Sequence, residues 1–159
     1  MTMEQENAVD TRTTVEDIIK DQYLTFVIED EEYGVEIANV KEIIKMQAIT
    51  WVPEMPNFVE GITNLRGDLI GVLDVRKRFG LETKEYDEDT CIIVVIAPGN
   101  LGLLGLIVDA VRETAIIPEN RMAPPPSARL SYANQFIRNI GRVGEDVKLL
   151  LDLDKFLND

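Results

Sequence analysis

The chain repeats itself. Gly34-Val35 returns as Gly105-Leu106, and Val40-Lys41-Glu42 as Val111-Arg112-Glu113, both at a spacing of 71. Further on, Phe58-Val59 returns as Phe136-Ile137 and Val72-Leu73-Asp74 as Leu150-Leu151-Asp152, now at a spacing of 78. The slip falls around Ala123-Pro124-Pro125-Pro126-Ser127, a proline-rich insert that a surface loop can absorb. A duplication constrains the fold strongly, because one architecture must suit both halves. Each copy spans about 65 residues and reads as a hairpin, a helical turn, an extended segment, a helical turn and a second hairpin. Many short strands between turns predict a small, all-β barrel, built twice, with a few short helices. One such barrel has a thin core, so the copies are expected to pack on each other or exchange strands.

The first copy is assigned to 22–83, the second to 91–157, with an acidic connector between them and one domain over 21–157. Residues 1–20 read as a flexible acidic tail. Within it, Thr14-Val15-Glu16-Asp17 has the form of a capping box, so a short helix and a frayed end both fit. Gln22–Asp30 and Tyr33–Ile37 make the first hairpin. Asn39 is read as the cap of a helical turn with Glu42 as its reciprocal partner, placing Val40, Ile43 and Ile44 on one face. Phe58–Ile62 is read as a second helix-like turn, and Arg76–Gly80 as a short basic turn stopped by glycine. Cys91–Ala97 and Leu101–Val108 form the hairpin of the second copy.

Composition excludes several kinds of chemistry. With no histidine, the commonest general base and metal ligand are absent, as is any imidazole-dependent triad. One cysteine, Cys91, forbids an internal disulfide or a thiolate metal cluster, and its apolar strand makes it a small buried hydrophobe. Net charge is −13, which repels nucleic acid and anionic membrane and attracts basic partners. No secretion signal or membrane-length apolar run stands in the sequence, so the cytoplasm is the expected compartment. Gly99–Gly105 joins two strands and is not a dinucleotide fingerprint. Catalytic residues, a metal and a cofactor are all expected to be absent. A carboxylate-based hydrolase would need two acids converging in a pocket.

The stretch Asn64-Leu65-Arg66-Gly67-Asp68 carries the sharpest signal. Gly67 permits positive φ, and Asn64 and Asp68 can bond their own backbone. Arg66 is a fixed cation between two apolar elements. At the spacing of 78 the second copy has Gly144 in its place. A feature missing from one copy serves function rather than architecture, because the shared fold forms without it. Glu42 and Arg66, of opposite charge, are candidates to meet beside a groove that Val40, Ile43, Ile62 and Val72 could line.

The segments YGVEIANVKEI, VPEMPNFVEGITNLRGDLIGVLDVRKRFG and GLIVDAVRET closely resemble the CheW family of bacterial chemotaxis coupling proteins, over roughly residues 20–157. The resemblance implies two five-stranded barrels, SH3-like or OB-like, around separate small cores. It implies a non-catalytic adaptor linking the cytoplasmic tip of chemoreceptors to the regulatory domain of the CheA histidine kinase. Such an adaptor sits in the cytoplasm, at receptor arrays beneath the inner membrane. Val40, Glu42 and Arg66 match family positions tied to receptor coupling, with Gly67 in the same motif. Ile43 and Ile62 complete the expected groove. The region of Ala123, Pro124, Pro125 and Ala128 corresponds to one that contacts the kinase. An isolated CheW-like regulatory module of another two-component system is the alternative reading.

Overall fold

The computed structural model describes residues 14–125 and 132–158. Eleven strands are present among them. They are β1 (Gln22–Ile28), β2 (Glu31–Glu36), β3 (Val40–Lys45), β4 (Val59–Leu65), β5 (Asp68–Asp74), β6 (Cys91–Ala97), β7 (Gly102–Val108), β8 (Ala110–Ile116), β9 (Met122–Ala123), β10 (Ile137–Val143) and β11 (Asp146–Leu151). Three short helices accompany them: α1 (Val15–Ile19), α2 (Val75–Arg78) and α3 (Leu153–Asn158).

One sheet has the order β8-β1-β2-β11-β10-β9 and the other β3-β6-β7-β5-β4. The hairpin β1–β2 of the first copy therefore lies among strands of the second, and the hairpin β6–β7 of the second among strands of the first. The exchange is reciprocal. Each guest hairpin joins its host through one parallel pairing, Tyr33 with Leu149 and Leu104 with Gly71. These pairs are the same positions of the repeat, at spacings of 71 and 78.

Both sheets close in the same way. Past the end of β3 the chain runs back to β4, where Thr50 and Ile62 exchange both backbone bonds, at 2.8 and 2.9 Å. In the other sheet β9 pairs with β10, Ala123 opposite Ile140. Ile140 stands 78 after Ile62, so β9 is the longer version of the Thr50 bridge. Counted without it, each sheet has five strands.

Strands β1 and β6 read as nearly unbroken apolar runs because both of their faces are buried. Ile92 and Val94 face one small cluster with Leu65, Ile70, Val72 and Ile107, while Ile93 and Val95 face another. That other cluster is the largest among the described residues and is shared. Phe26, Tyr33 and Leu151 of one sheet meet Leu73, Ile93 and Leu106 of the other, with Phe79, Phe136 and Phe156 between them. Each barrel thus has the expected small core of its own, and the thickest apolar layer lies between them.

One open local reading closes and two others change. Thr14 does cap α1, whose amide at Asp17 donates to the Thr14 hydroxyl, so the expected tail ends in a helix. Residues 1–13 lie outside the described residues. Asn39 does not cap a helical turn with Glu42: it ends a 3-10 turn, Ile37–Asn39, that has no side-chain cap, and Val40–Lys45 is a strand. Val59–Ile62 is likewise strand, not helical turn. The basic turn is α2, capped by Asp74, whose carboxylate accepts from the amides of Arg76 and Lys77. It buries Arg76 and Arg78.

Arg76 ties the architecture together. Its guanidinium forks onto Asp109 at 2.8 and 2.7 Å and donates to Glu29 at 2.7 Å. The turn of the first hairpin, α2 and the β7–β8 junction thereby share one cation. Arg78 lies between the rings of Phe58 and Phe136, 4.5 Å from each centre, and donates to the Phe156 carbonyl at 2.8 Å.

Candidate functional site

Arg66 and Gly67 form the two-residue loop between β4 and β5, with Leu65 opposite Asp68. Both have positive φ, +51° and +93°, the signature of a type I′ hairpin turn. The Asn64 side chain accepts from the Gly67 amide at 2.7 Å and holds the turn. Arginine at the first position is strained, costing of the order of 1 kcal/mol relative to glycine. Gly144, its counterpart, takes φ +62° in the matching turn with no such cost.

The Arg66 guanidinium donates to the Glu42 carboxylate across the barrel mouth. Glu42 sits on β3 and Arg66 on the β4–β5 turn, so the pair bridges the two ends of the curled sheet. The hydrogen bond from Arg66 holds the Glu42 carboxyl below the usual carboxylate range, and Arg66 is raised in return by its bond to Glu42. The Arg66 side chain remains 67% exposed and that of Glu42 25% exposed. An exposed pair adds little to stability. Its guanidinium keeps donors free for a partner.

Beneath the pair the segment after β3 is fastened to β4. Gln47 donates to the Thr63 hydroxyl at 2.8 Å and to the Asn64 carbonyl at 2.6 Å, and the Thr63 hydroxyl donates to the Ala48 carbonyl at 2.7 Å. Gly61, with φ +146°, leaves the space the Thr50 carbonyl occupies.

The remaining candidates lie on the face of the same sheet that the two barrels share, toward its margin. Lys41 is an extra residue in β3, since Val40 pairs with Val95 and Glu42 with Val94. Directly opposed residues share a face, so Val40 and Ile43 lie on the side of Val95 and Ile93, which carries the cluster shared by the two barrels, while Glu42 and Ile44 point into this barrel's own core. The register then draws one row across the sheet: Ile62 beside Gly71, Gly71 beside Leu104, Leu104 beside Val95, Val95 beside Val40. All but Val95 are half-buried. Ile43 ends the next row, beside Ile93 and Leu106, and is exposed. The structure therefore unites Glu42, Arg66 and Gly67 at the barrel mouth. Val40, Ile43 and Ile62 form a neighbouring apolar strip at the margin of the face shared by the barrels. Gly71, Leu104 and Val95 of that strip had no marker in the sequence, and only the strand register reveals them.

Ala123 belongs to the other barrel, in β9, with Pro124 and Pro125 following; Ala128 lies outside the described residues. The buried acid with a raised pKa, Asp74, pushed up first by burial, is spent on capping α2. No group of histidine, cysteine and acidic side chains suited to a metal occurs among the described residues. No helix among them is long and apolar enough to cross a membrane.

Comparison with known proteins adds a family. The model of the CheW-like domain matches residues 22–159. A chemotaxis protein CheW of Klebsiella aerogenes is 32% identical, over 86% of this chain and 81% of its own length. One from Helicobacter pylori is 34% identical, with the same coverages. The crystal structure of the scaffolding protein TtCheW from Thermoanaerobacter tengcongensis superposes with a TM-score of 0.79 at 36% identity, covering 87% of this chain and 93% of that one.

Proposed function

Because this chain belongs to the CheW-like domain family, we propose that it is a chemotaxis adaptor joining the cytoplasmic tip of chemoreceptors to the regulatory domain of the CheA histidine kinase. It works by contact and makes or breaks no covalent bond. Its place is the cytoplasm, in receptor arrays beneath the inner membrane. The strip of Val40, Ile43 and Ile62, at the margin of the face between the barrels, receives the apolar side of a receptor helix. The Glu42–Arg66 pair sets the strip's border and offers charge to the helix's polar flank. The region of Ala123, Pro124, Pro125 and Ala128 faces the kinase. Each contact can be weak, because arrayed attachment raises the effective concentration of the others. A signal passes only if these contacts differ between kinase states.

The observation that carries this reading is Arg66 itself. It occupies a left-handed turn position that its sister copy fills with glycine, and strain of this kind persists where function requires the side chain. The test is capture of a receptor-tip fragment and of the kinase regulatory domain by wild type, Arg66→Glu and Arg66→Gly. Both variants are expected to fold and to hold the kinase domain while losing the receptor at least tenfold. Unchanged receptor capture by Arg66→Gly would overturn the assignment.

A further inference from the structure

The duplication poses a problem that the structure also answers. Two similar hairpins, β1–β2 and β6–β7, must each enter the barrel of the other copy. In barrels with interchangeable interiors, each hairpin could equally pair with the strands of its own copy. One pair of positions breaks the equivalence. Lys148 of β11, 2% exposed, donates to the Glu32 carboxylate of β2. It points to the same side of β11 as Leu150, which belongs to that barrel's own apolar cluster. In the sister barrel the matching residues, at spacings of 78 and 71, are Ile70 and Leu103, which belong to one apolar cluster with Val72 and Ile92. The register shows that the positions truly correspond. Leu150 adjoins Gly34 as Val72 adjoins Gly105, across the two parallel junctions.

We infer that the Lys148–Glu32 pair specifies the strand exchange, by matching each hairpin to one host. In the observed arrangement an acid meets a base and leucine meets isoleucine. In the unexchanged arrangement Glu32 would lie against Ile70, and Leu103 against Lys148. One barrel would then bury the Lys148 ammonium without a partner, and in the other the half-buried Glu32 carboxylate would face an apolar neighbour in place of its cation. An unpaired buried charge costs far more than the pair contributes, so the pair discriminates between arrangements while adding little to the stability of the correct one. It works as a buried polar residue does in setting the register of a coiled coil.

The arrangement can be read by cross-linking in a Cys91→Ala background. Position 31 lies two residues along the register from the Tyr33–Leu149 pair, next to position 147, and Val147 is exposed. In the unexchanged arrangement position 31 would instead adjoin position 69, also exposed. Glu31→Cys with Val147→Cys therefore reports exchange, and Glu31→Cys with Leu69→Cys reports its absence. After refolding, the otherwise unaltered chain should give the 31–147 link alone. Glu32→Leu with Lys148→Ile should keep or raise the urea midpoint yet raise the 31–69 link about tenfold or more. Lys148→Ile alone should lower the midpoint below that of the double variant. Glu32→Leu with Leu103→Glu moves the carboxylate to the other hairpin and should make the 31–69 link dominant. If neither double variant forms more 31–69 link than the unaltered pair, or if Lys148→Ile alone is as stable as the double variant, the inference is wrong.

Discussion

At the scale of single residues, Arg66 and Arg76 do opposite work. Arg66 carries backbone strain, so Arg66→Gly should leave stability unchanged or raise it by up to about 1 kcal/mol by urea denaturation, while receptor capture falls. Arg76 is the opposite case. Removing it leaves the mostly covered Asp109 beside Glu29 without its fork, and Arg76→Ala should cost about 3 kcal/mol. Burial alone would raise the Asp109 carboxyl, but hydrogen bonds from Arg76 and from the Glu29 amide leave it below its ordinary value. The unfolded chain therefore takes up a proton at a higher pH than the folded one. This stability is complete above the ordinary aspartate pKa of about 3.9 and is lost as pH falls through the lower folded value. Urea titrations from pH 6 to pH 3 should show that loss, and Asp109→Asn should flatten it. Arg66 and Glu42 were legible in the sequence because the repeat made one of them conspicuous. Arg76 and Arg78 were not, since their burial depends on Asp109, Glu29 and Phe156, which lie 33, 47 and 78 residues away.

Among the elements, the bulges explain why two strands read as helical. The extra residue Lys41 sets Val40 and Ile43 three apart on one face, which imitates one helical turn. The break in register between Val59 and Gly61 disturbs the alternation of β4 in the same way. The hairpins without bulges near their centres, β6–β7 above all, were readable to within a residue or two. Closure of the first barrel rests on Gly61. A Cβ there would run into the Thr50 carbonyl, and φ +146° disfavours any L side chain. Gly61→Ala should therefore cost at least about 2 kcal/mol. Amide hydrogen exchange should report it first, with Thr50 and Ile62 losing protection before Ile92 does.

For the whole molecule, reciprocal exchange and a shared aromatic layer make the barrels one cooperative unit. Phe79, Phe136 and Phe156 lie within 5.7–6.1 Å of one another, ring centre to ring centre. Phe136→Ala should cost about 3–5 kcal/mol and lower the protection of slow amides in both barrels together, as two-state unfolding requires. Separate loss in one barrel would show independent domains. The repeat revealed two barrels and the need for them to share surface. It did not reveal which hairpin sits where, because that rests on contacts between strands far apart in the chain. The route of the connector has a practical corollary. Residues 84–90 run as exposed coil up to Thr90, so a protease nick there would sever the two copies without parting any sheet. The nicked molecule would hold together as an interlocked pair of fragments, and neither fragment would contain a complete barrel. Expressed apart, each half would await its complement, and co-expression in one cell would reconstitute the adaptor from two genes.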